Sequence, residues 1–157
     1  MKKKKIQNII ILSIAIIIIG AIIAYNYSVD TTKQKGLQFG NELSQIENEL
    51  SEIQNKFYSE KTKWAEGDIS KEELLKFYEE HIDNFQQTIS KYDKLTPPEL
   101  FQSSVVLLKM SAETQLESDL QFIEWIKTED EASKIRSDAL IQEAYEYQNL
   151  GLVEFQT

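Results

Sequence analysis

The sequence predicts an all-α protein in which an N-terminal transmembrane helix precedes an extracytoplasmic antiparallel four-helix bundle. Three observations lead to this fold class. The run from Ile6 to Ala24 is apolar and uncharged, and the chain's only two prolines stand side by side, at Pro97 and Pro98. From Phe39 onwards the apolar residues recur at intervals of three and four, as they do on one face of an α-helix. Long helices with few interruptions therefore account for nearly the whole chain.

The first 27 residues have the composition of a membrane anchor. Four lysines, Lys2 to Lys5, precede the apolar run, which is long enough to cross a hydrocarbon core of about 30 Å. Because positive charges stay on the cytoplasmic side, we expect residues 1–5 to form a cytoplasmic basic tail, residues 6–27 a single transmembrane anchor, and residues 28–157 an extracytoplasmic domain. A cleaved signal peptide is the alternative, although its apolar region is usually shorter. The predicted location is the cell membrane, crossed once.

The domain after the anchor is strongly acidic. Four of the 17 Lys and Arg residues lie in the N-terminal run, which leaves 13 in residues 28–157 against all 26 Asp and Glu, a formal charge of −13. A surface of that charge repels nucleic acid, so we expect no nucleic-acid partner. The chain has no cysteine, which excludes disulfides and thiolate metal sites. The membrane and a protein of the cell envelope are the predicted partners.

The periodicity predicts four helices in the outer domain, near residues 33–66, 70–95, 97–127 and 130–155. In the first helix, apolar residues follow a heptad pattern from Phe39 to Trp64, and we expect this seam to pack inside the bundle. Pairing of two copies of the chain through the same Phe39–Trp64 seam is the alternative and would form an oligomer. The second helix is predicted to begin with a capping box of Ser70 and Glu73.

The segment Thr96-Pro97-Pro98-Glu99 separates the second predicted helix from the third. Proline is tolerated in the first turn of a helix, and a threonine followed three residues later by a glutamate is the pattern of a capping box. We therefore predict that Thr96 caps the third helix and that both prolines lie in its first turn. A recognition loop is the alternative. The last helix is predicted to follow Thr128, because the acidic residues after it favour a helix N-terminus.

Four polar side chains are expected to face the interior of the bundle. On a helical wheel, Asp119 falls within the apolar arc of the third helix. In the fourth helix, Arg136 and Glu143 lie on the predicted inner face, among Ala132, Ala139, Tyr147 and Leu150. Counting residues outward from the turns places Asp119 level with Arg136, and Glu143 level with His81 in a second layer about 10 Å away. We therefore predict an inner polar network of His81, Asp119, Arg136 and Glu143. In it, a buried Asp119–Arg136 ion pair would fix the register of the helices, and a ligand pocket is the alternative.

The sequence carries no pattern that is typical of an enzyme. It has no phosphate-binding glycine loop, no HExxH motif and no strand pattern that could hold a nucleophile elbow. Its single histidine, His81, has no glutamate three residues before it, as the di-iron helical bundles require. We therefore predict no catalytic residues, no cofactor and no metal site.

The C-terminal part of the chain resembles a known group of proteins. Residues 94–155 contain the runs KLTPPELFQSS and QLESDLQFIEWIKTEDEASKIRSDALIQEAYEYQNLGLVEF. These runs resemble small membrane-anchored helical proteins of ammonia-oxidising archaea. The resemblance implies an anchored, helical protein and carries no activity with it.

Together these features predict a non-enzymatic envelope protein, anchored in the membrane, with a binding or scaffolding role. The alternative is an extracytoplasmic ligand sensor subunit. Such a subunit would have to signal through a membrane partner, because residues 1–5 are too short to form an output domain.

Overall fold

The computed structural model describes residues 30–155, which form four α-helices and the short connections between them. We number the helices α1 (Asp30–Glu66), α2 (Lys71–Ile89), α3 (Gln102–Thr128) and α4 (Glu131–Glu154). Residues 30–155 contain no strand, so the predicted all-α class is confirmed for them, as is the helical bundle. None of these four helices is both long enough and apolar enough to cross a bilayer. The predicted anchor, residues 6–27, lies outside the described residues.

The heptad seam of α1 packs inside the bundle. Its buried members are Phe39, Leu43, Ile46, Leu50 and Phe57. The first four belong to an apolar cluster that includes Phe85 from α2, Leu108 from α3 and Phe155 at the end of α4. Burying a side chain of this size stabilises a protein by about 1.5 to 3 kcal/mol. The prediction that the seam is used within the bundle is therefore confirmed.

Local backbone chemistry sets the turn after α1 and the start of α2. Gly67, with φ of +83°, adopts the left-handed conformation that glycine accepts without strain, and the chain turns there. Ser70 Oγ then accepts a hydrogen bond from the Glu73 amide at 3.1 Å, and the Glu73 carboxylate accepts one from the Ser70 amide at 2.8 Å. This is the predicted capping box. The helix ends at Ile89, earlier than predicted, and a 3₁₀ turn follows at Tyr92–Lys94.

The proline segment differs from its prediction. Thr96 to Pro98 form no helix, a short 3₁₀ turn follows at Glu99–Phe101, and α3 begins only at Gln102. The predicted capping by Thr96, with both prolines in the first turn of the helix, was therefore wrong. A proline keeps the residue before it out of the α conformation, so Pro98 holds Pro97 outside the helix. Pro98 is itself extended, with ψ of 150°.

The helices α3 and α4 approach each other closely because small residues line their interface. These residues recur every seventh position and face one another in three pairs: Ser104 with Gly151, Ser111 with Ala144, and Ser118 with Ser137. Ser111 Oγ donates a hydrogen bond to the carbonyl oxygen of Ala144 at 2.8 Å, and Ser118 Oγ donates one to that of Ser137 at 2.7 Å. Such short side chains reach a neighbouring backbone only where the two helix axes are close.

This close packing decides which face of α4 turns inward. The buried residues of α4 are Ser133, Ser137, Ala144, Gln148 and Gly151. The predicted inner face was wrong, because Ala132, Ala139 and Leu150 are exposed. A helix that lies so near its neighbour admits only small side chains at the interface, and its larger apolar side chains therefore remain on the flanks and the outer side.

Gly151→Val is expected to lower the free energy of unfolding by about 2 kcal/mol. A Cβ atom at Gly151 would lie 3.2 Å from the Ser104 carbonyl oxygen and 3.2 Å from Leu108 Cγ, and the backbone oxygen cannot move without shifting α3. The measurement is urea unfolding in mild detergent, followed by far-ultraviolet circular dichroism. Ala139→Val, at an exposed position of α4, is the control and should cost only about 0.5 kcal/mol. Equal losses in the two variants would contradict the close approach at Gly151.

Candidate functional site

Two polar layers that contain buried ionisable side chains cross the interior of the bundle. The first contains His81 from α2 and Asp119 from α3. The second contains Glu47 from α1 and Tyr92 from the turn after α2. All four side chains are buried. Buried polar groups are costly unless they are hydrogen-bonded, so each layer is a candidate for a structural or functional role.

In the first layer, His81 and Asp119 form a direct pair. His81 Nε2 lies 2.8 Å from Asp119 Oδ2, and the two side chains are only 1% and 4% exposed. The imidazole stacks on the ring of Phe57, with 4.4 Å between the ring centroids. Burial raises the pKa of Asp119, while the hydrogen bond and charge of His81 and the charge of Lys61 act in the opposite direction. The pair therefore joins α2 to α3, and aromatic rings pack around its imidazole.

Other polar atoms lie around this pair. The buried amide of Gln54 from α1 is near enough to the Asp119 carboxyl to lower its pKa, without forming a short hydrogen bond. Among the described residues, the hydroxyl of Tyr78 and Nδ1 of His81 have no hydrogen-bond partner. Burial raises the pKa of Tyr78, which keeps its phenol neutral. Polar groups from α1 and α2 therefore surround the carboxyl group of Asp119 on α3.

Arg136 and Glu143, the other two members of the predicted network, lie on the surface. The guanidinium of Arg136 donates to Glu117 Oε1 at 2.8 Å, and Glu143 accepts a hydrogen bond from the hydroxyl of Tyr147 at 3.0 Å. The predicted Asp119–Arg136 ion pair was therefore wrong. Asp119 and Arg136 lie at the same height along the bundle. Asp119 follows Ser118 and Arg136 precedes Ser137, and these two serines are in contact. However, Asp119 points towards α2, while Arg136 points outward.

The second polar layer was not predicted from the sequence. The hydroxyl of Tyr92 donates a hydrogen bond to the carboxyl of Glu47. Burial raises the pKa of Glu47 to about 7, although this hydrogen bond acts to lower it. A signal was present in the sequence, because Glu47, Gln54 and Lys61 are spaced by seven residues along one edge of the heptad seam. Read as ordinary charged and polar residues, they resembled a solvated face.

A small, partly open cavity adjoins Glu47. The space open to the centre of a water molecule measures about 10 Å³, which is about enough for one water. Its polar lining residues are Glu47, Ser51, Tyr92, Ser111, Gln115 and Gln148. Pockets for small organic ligands are usually about 300 Å³ or larger. As it stands, this cavity can hydrate the buried carboxyl but has no room for an organic ligand.

Comparisons with known proteins leave the site to be interpreted from its own residues. No protein-family model matches the sequence, and neither a curated protein nor a solved structure matches it. Within residues 30–155, no three His, Asp or Glu side chains are grouped so that they could hold a metal ion.

Proposed function

We propose that this chain is a non-enzymatic protein of the cell envelope, anchored in the membrane, whose helical domain binds a partner protein in a scaffolding role. The observation that most supports this proposal is the contrast between the interior and the surface. The polar groups of the interior are enclosed, whereas several large apolar side chains are exposed: Leu37, Leu100, Val106, Leu120, Ile135, Leu150 and Val153. Exposed apolar groups that cluster mark interaction surfaces, so binding is proposed to occur on the outside of the bundle.

The enclosure of the polar layers supports a structural role for them. A catalytic group must lie where a substrate can reach it, usually in a cleft. His81 and Asp119 are almost completely buried, and Glu47 is covered by the packing of α1 against its neighbours. We therefore assign the His81–Asp119 pair to fixing the position of α2 against α3.

The proposed location rests on the N-terminal residues. A basic tail at residues 1–5 and an apolar anchor at residues 6–27 would hold residues 28–157 outside the cytoplasm as a single-pass protein. The resemblance to membrane-anchored helical proteins of archaea agrees with this arrangement. An oligomer through the Phe39–Trp64 seam is not part of the proposal, because most of that seam is buried within the bundle.

Protease added outside intact, wall-stripped cells is expected to remove residues beyond Tyr27 and leave the N-terminal lysines protected, because the acidic domain would face outward. The measurement is immunoblotting with epitope tags at the two ends, with a cytoplasmic protein as a control for cell integrity. If the C-terminal tag were cleaved only after lysis, the outward-facing location would be refuted.

The extracytoplasmic ligand sensor subunit is the second candidate. The polar lining of the cavity beside Glu47 favours it, but a ligand larger than water would have to open the bundle to enter. Affinity capture of the detergent-solubilised, full-length protein separates the two candidates. A structural protein of the envelope in the captured material supports the scaffold, and a receptor or kinase supports the sensor.

A further inference from the structure

The outer face of the α3–α4 pair carries an apolar patch away from α1 and α2. The Arg136–Glu117 ion pair lies on this face. Steps of three, four and seven residues follow the same face along each helix. Counting such intervals from Glu117 along α3 and from Arg136 along α4 identifies five further residues on this face. We call them the outer patch: Val106, Leu107, Met110, Tyr147 and Leu150. Val106 is 57% exposed and Leu150 is 54% exposed, while the other three are half-buried.

Carboxylates border the outer patch. Glu113 on α3 and Glu143 and Glu146 on α4 are exposed near it, and α4 has no Lys or Arg after Arg136. The two basic residues beside the patch are both paired with carboxylates: Lys109 lies 2.6 Å from Asp93 and 3.7 Å from Glu113, and Arg136 lies 2.8 Å from Glu117.

The negative charge around the patch affects the pKa of one of its members, Tyr147. Its pKa is raised, first by its hydrogen bond to Glu143 and further by the charges of Glu143 and Glu146. The outer patch is therefore an apolar surface in a negative electrostatic field.

We propose that the outer patch binds an amphipathic helix of a partner protein whose apolar face is flanked by Lys and Arg. This inference rests on the proposed binding function and specifies its surface and its partner. A helix can lay its apolar face into the groove between two helices, and complementary charges then fix its orientation and exclude other partners.

Charge also distinguishes this partner from other occupants of the patch. A second copy of the chain would bring Glu143 and Glu146 towards the same residues of its mate, and like charges across an interface are costly. An anionic membrane surface would be repelled in the same way.

The experiment is site-specific cross-linking with the full-length chain in nanodiscs of zwitterionic lipid. A benzophenone amino acid replaces Met110 in one variant and Ile135 in the control. Ile135 is 69% exposed and lies two and a half turns from Ala144, hence on the side of α4 turned away from α3. The probe is a synthetic helical peptide with a leucine face flanked by lysines, compared with a matched peptide in which glutamates replace the lysines.

We expect the lysine peptide to cross-link from position 110 about tenfold more than from position 135, and the glutamate peptide to give only background. Leu150→Glu should reduce cross-linking from position 110 about tenfold, whereas Ile135→Glu should leave it unchanged. Both changes are at exposed helical positions, where substitutions rarely unfold a protein.

Equal yields from positions 110 and 135, equal yields with the two peptides, or a cross-linked dimer in place of the peptide adduct would overturn the proposal. Protease protection of the domain in intact cells would instead refute the outward-facing location while leaving the cross-linking result intact. The two failures are therefore distinguishable.

Discussion

Asp119→Ala is expected to lower the free energy of unfolding by about 1 to 3 kcal/mol, because it leaves the buried imidazole of His81 without its hydrogen-bond partner. His81 Nε2 is 2.8 Å from the Asp119 carboxylate and the imidazole is almost fully buried, so water cannot replace the lost partner without opening the helices. The measurement is urea unfolding. If the dependence of the unfolding free energy on urea concentration is unchanged, the shift in midpoint gives the loss of stability.

Two further sets of variants test the assignment of this loss to the pair. Arg136→Ala removes an ion pair whose side chains are largely exposed and should cost under about 1 kcal/mol. The double-mutant cycle of His81→Ala and Asp119→Ala should show a clear coupling energy. Replacing both residues with apolar ones should recover much of the loss, since the desolvation penalty disappears with the polar groups. A coupling energy of zero would refute the pair.

The bundle is also expected to lose stability as the pH rises from 5 to 8, in part because of Glu47. Burial raises the pKa of Glu47 from 4.5 to about 7, so the folded state holds the proton more tightly than the unfolded state. The resulting stabilisation is fully present below pH 4.5 and is lost as the pH rises through 7. The difference between the two pKa values corresponds to about 3 kcal/mol.

Comparison with Glu47→Gln isolates this contribution, because other groups also titrate. Asp119, whose pKa is likewise raised, should act in the same direction, whereas the stabilisation from Glu49, whose pKa is lowered from 4.5 by Lys91, is lost only at more acidic pH. The unfolding midpoints of the wild type and of Glu47→Gln should be similar at pH 5. At pH 8, Glu47→Gln should be more stable than the wild type. Glu52→Gln, at an exposed position of α1, should retain the pH dependence of the wild type. If Glu47→Gln retained it too, the buried carboxyl would not be its source.

Features that depend on neighbouring residues in the chain were predicted well. The capping box of Ser70 and Glu73 and the heptad seam beginning at Phe39 were both read correctly, as was the turn before α4. There, Asp130 caps the helix by accepting a hydrogen bond from the Ala132 amide, within two residues of the predicted start. Each of these features arises from a hydrogen bond or an apolar stripe formed by residues a few positions apart.

The polar partners were predicted less well. Asp119 was correctly placed inside, but its partner is His81 on α2 rather than Arg136 on α4. Counting residues placed Asp119 level with Arg136 correctly, but it wrongly put His81 in a separate layer about 10 Å away, because the connection between Ile89 and Gln102 is longer than the tight turn that the count assumed. The direction in which a side chain points depends in addition on how each helix is rotated. Glu47 was missed because its burial depends on Tyr92, 45 residues further along the chain.

The amino-acid sequence by itself therefore determined the all-α class, the four helices and the inward stripe of α1, because these follow from periodicity and from local hydrogen bonds. Only the tertiary structure decided which face of α4 is buried, where α3 begins, and which buried polar groups meet. Ser137, Ala144 and Gly151 form a helix interface because serines of α3 lie opposite them. The physical reason is that the rotation and separation of packed helices minimise the energy of all their contacts at once, and a wheel drawn for one helix contains only half of each contact.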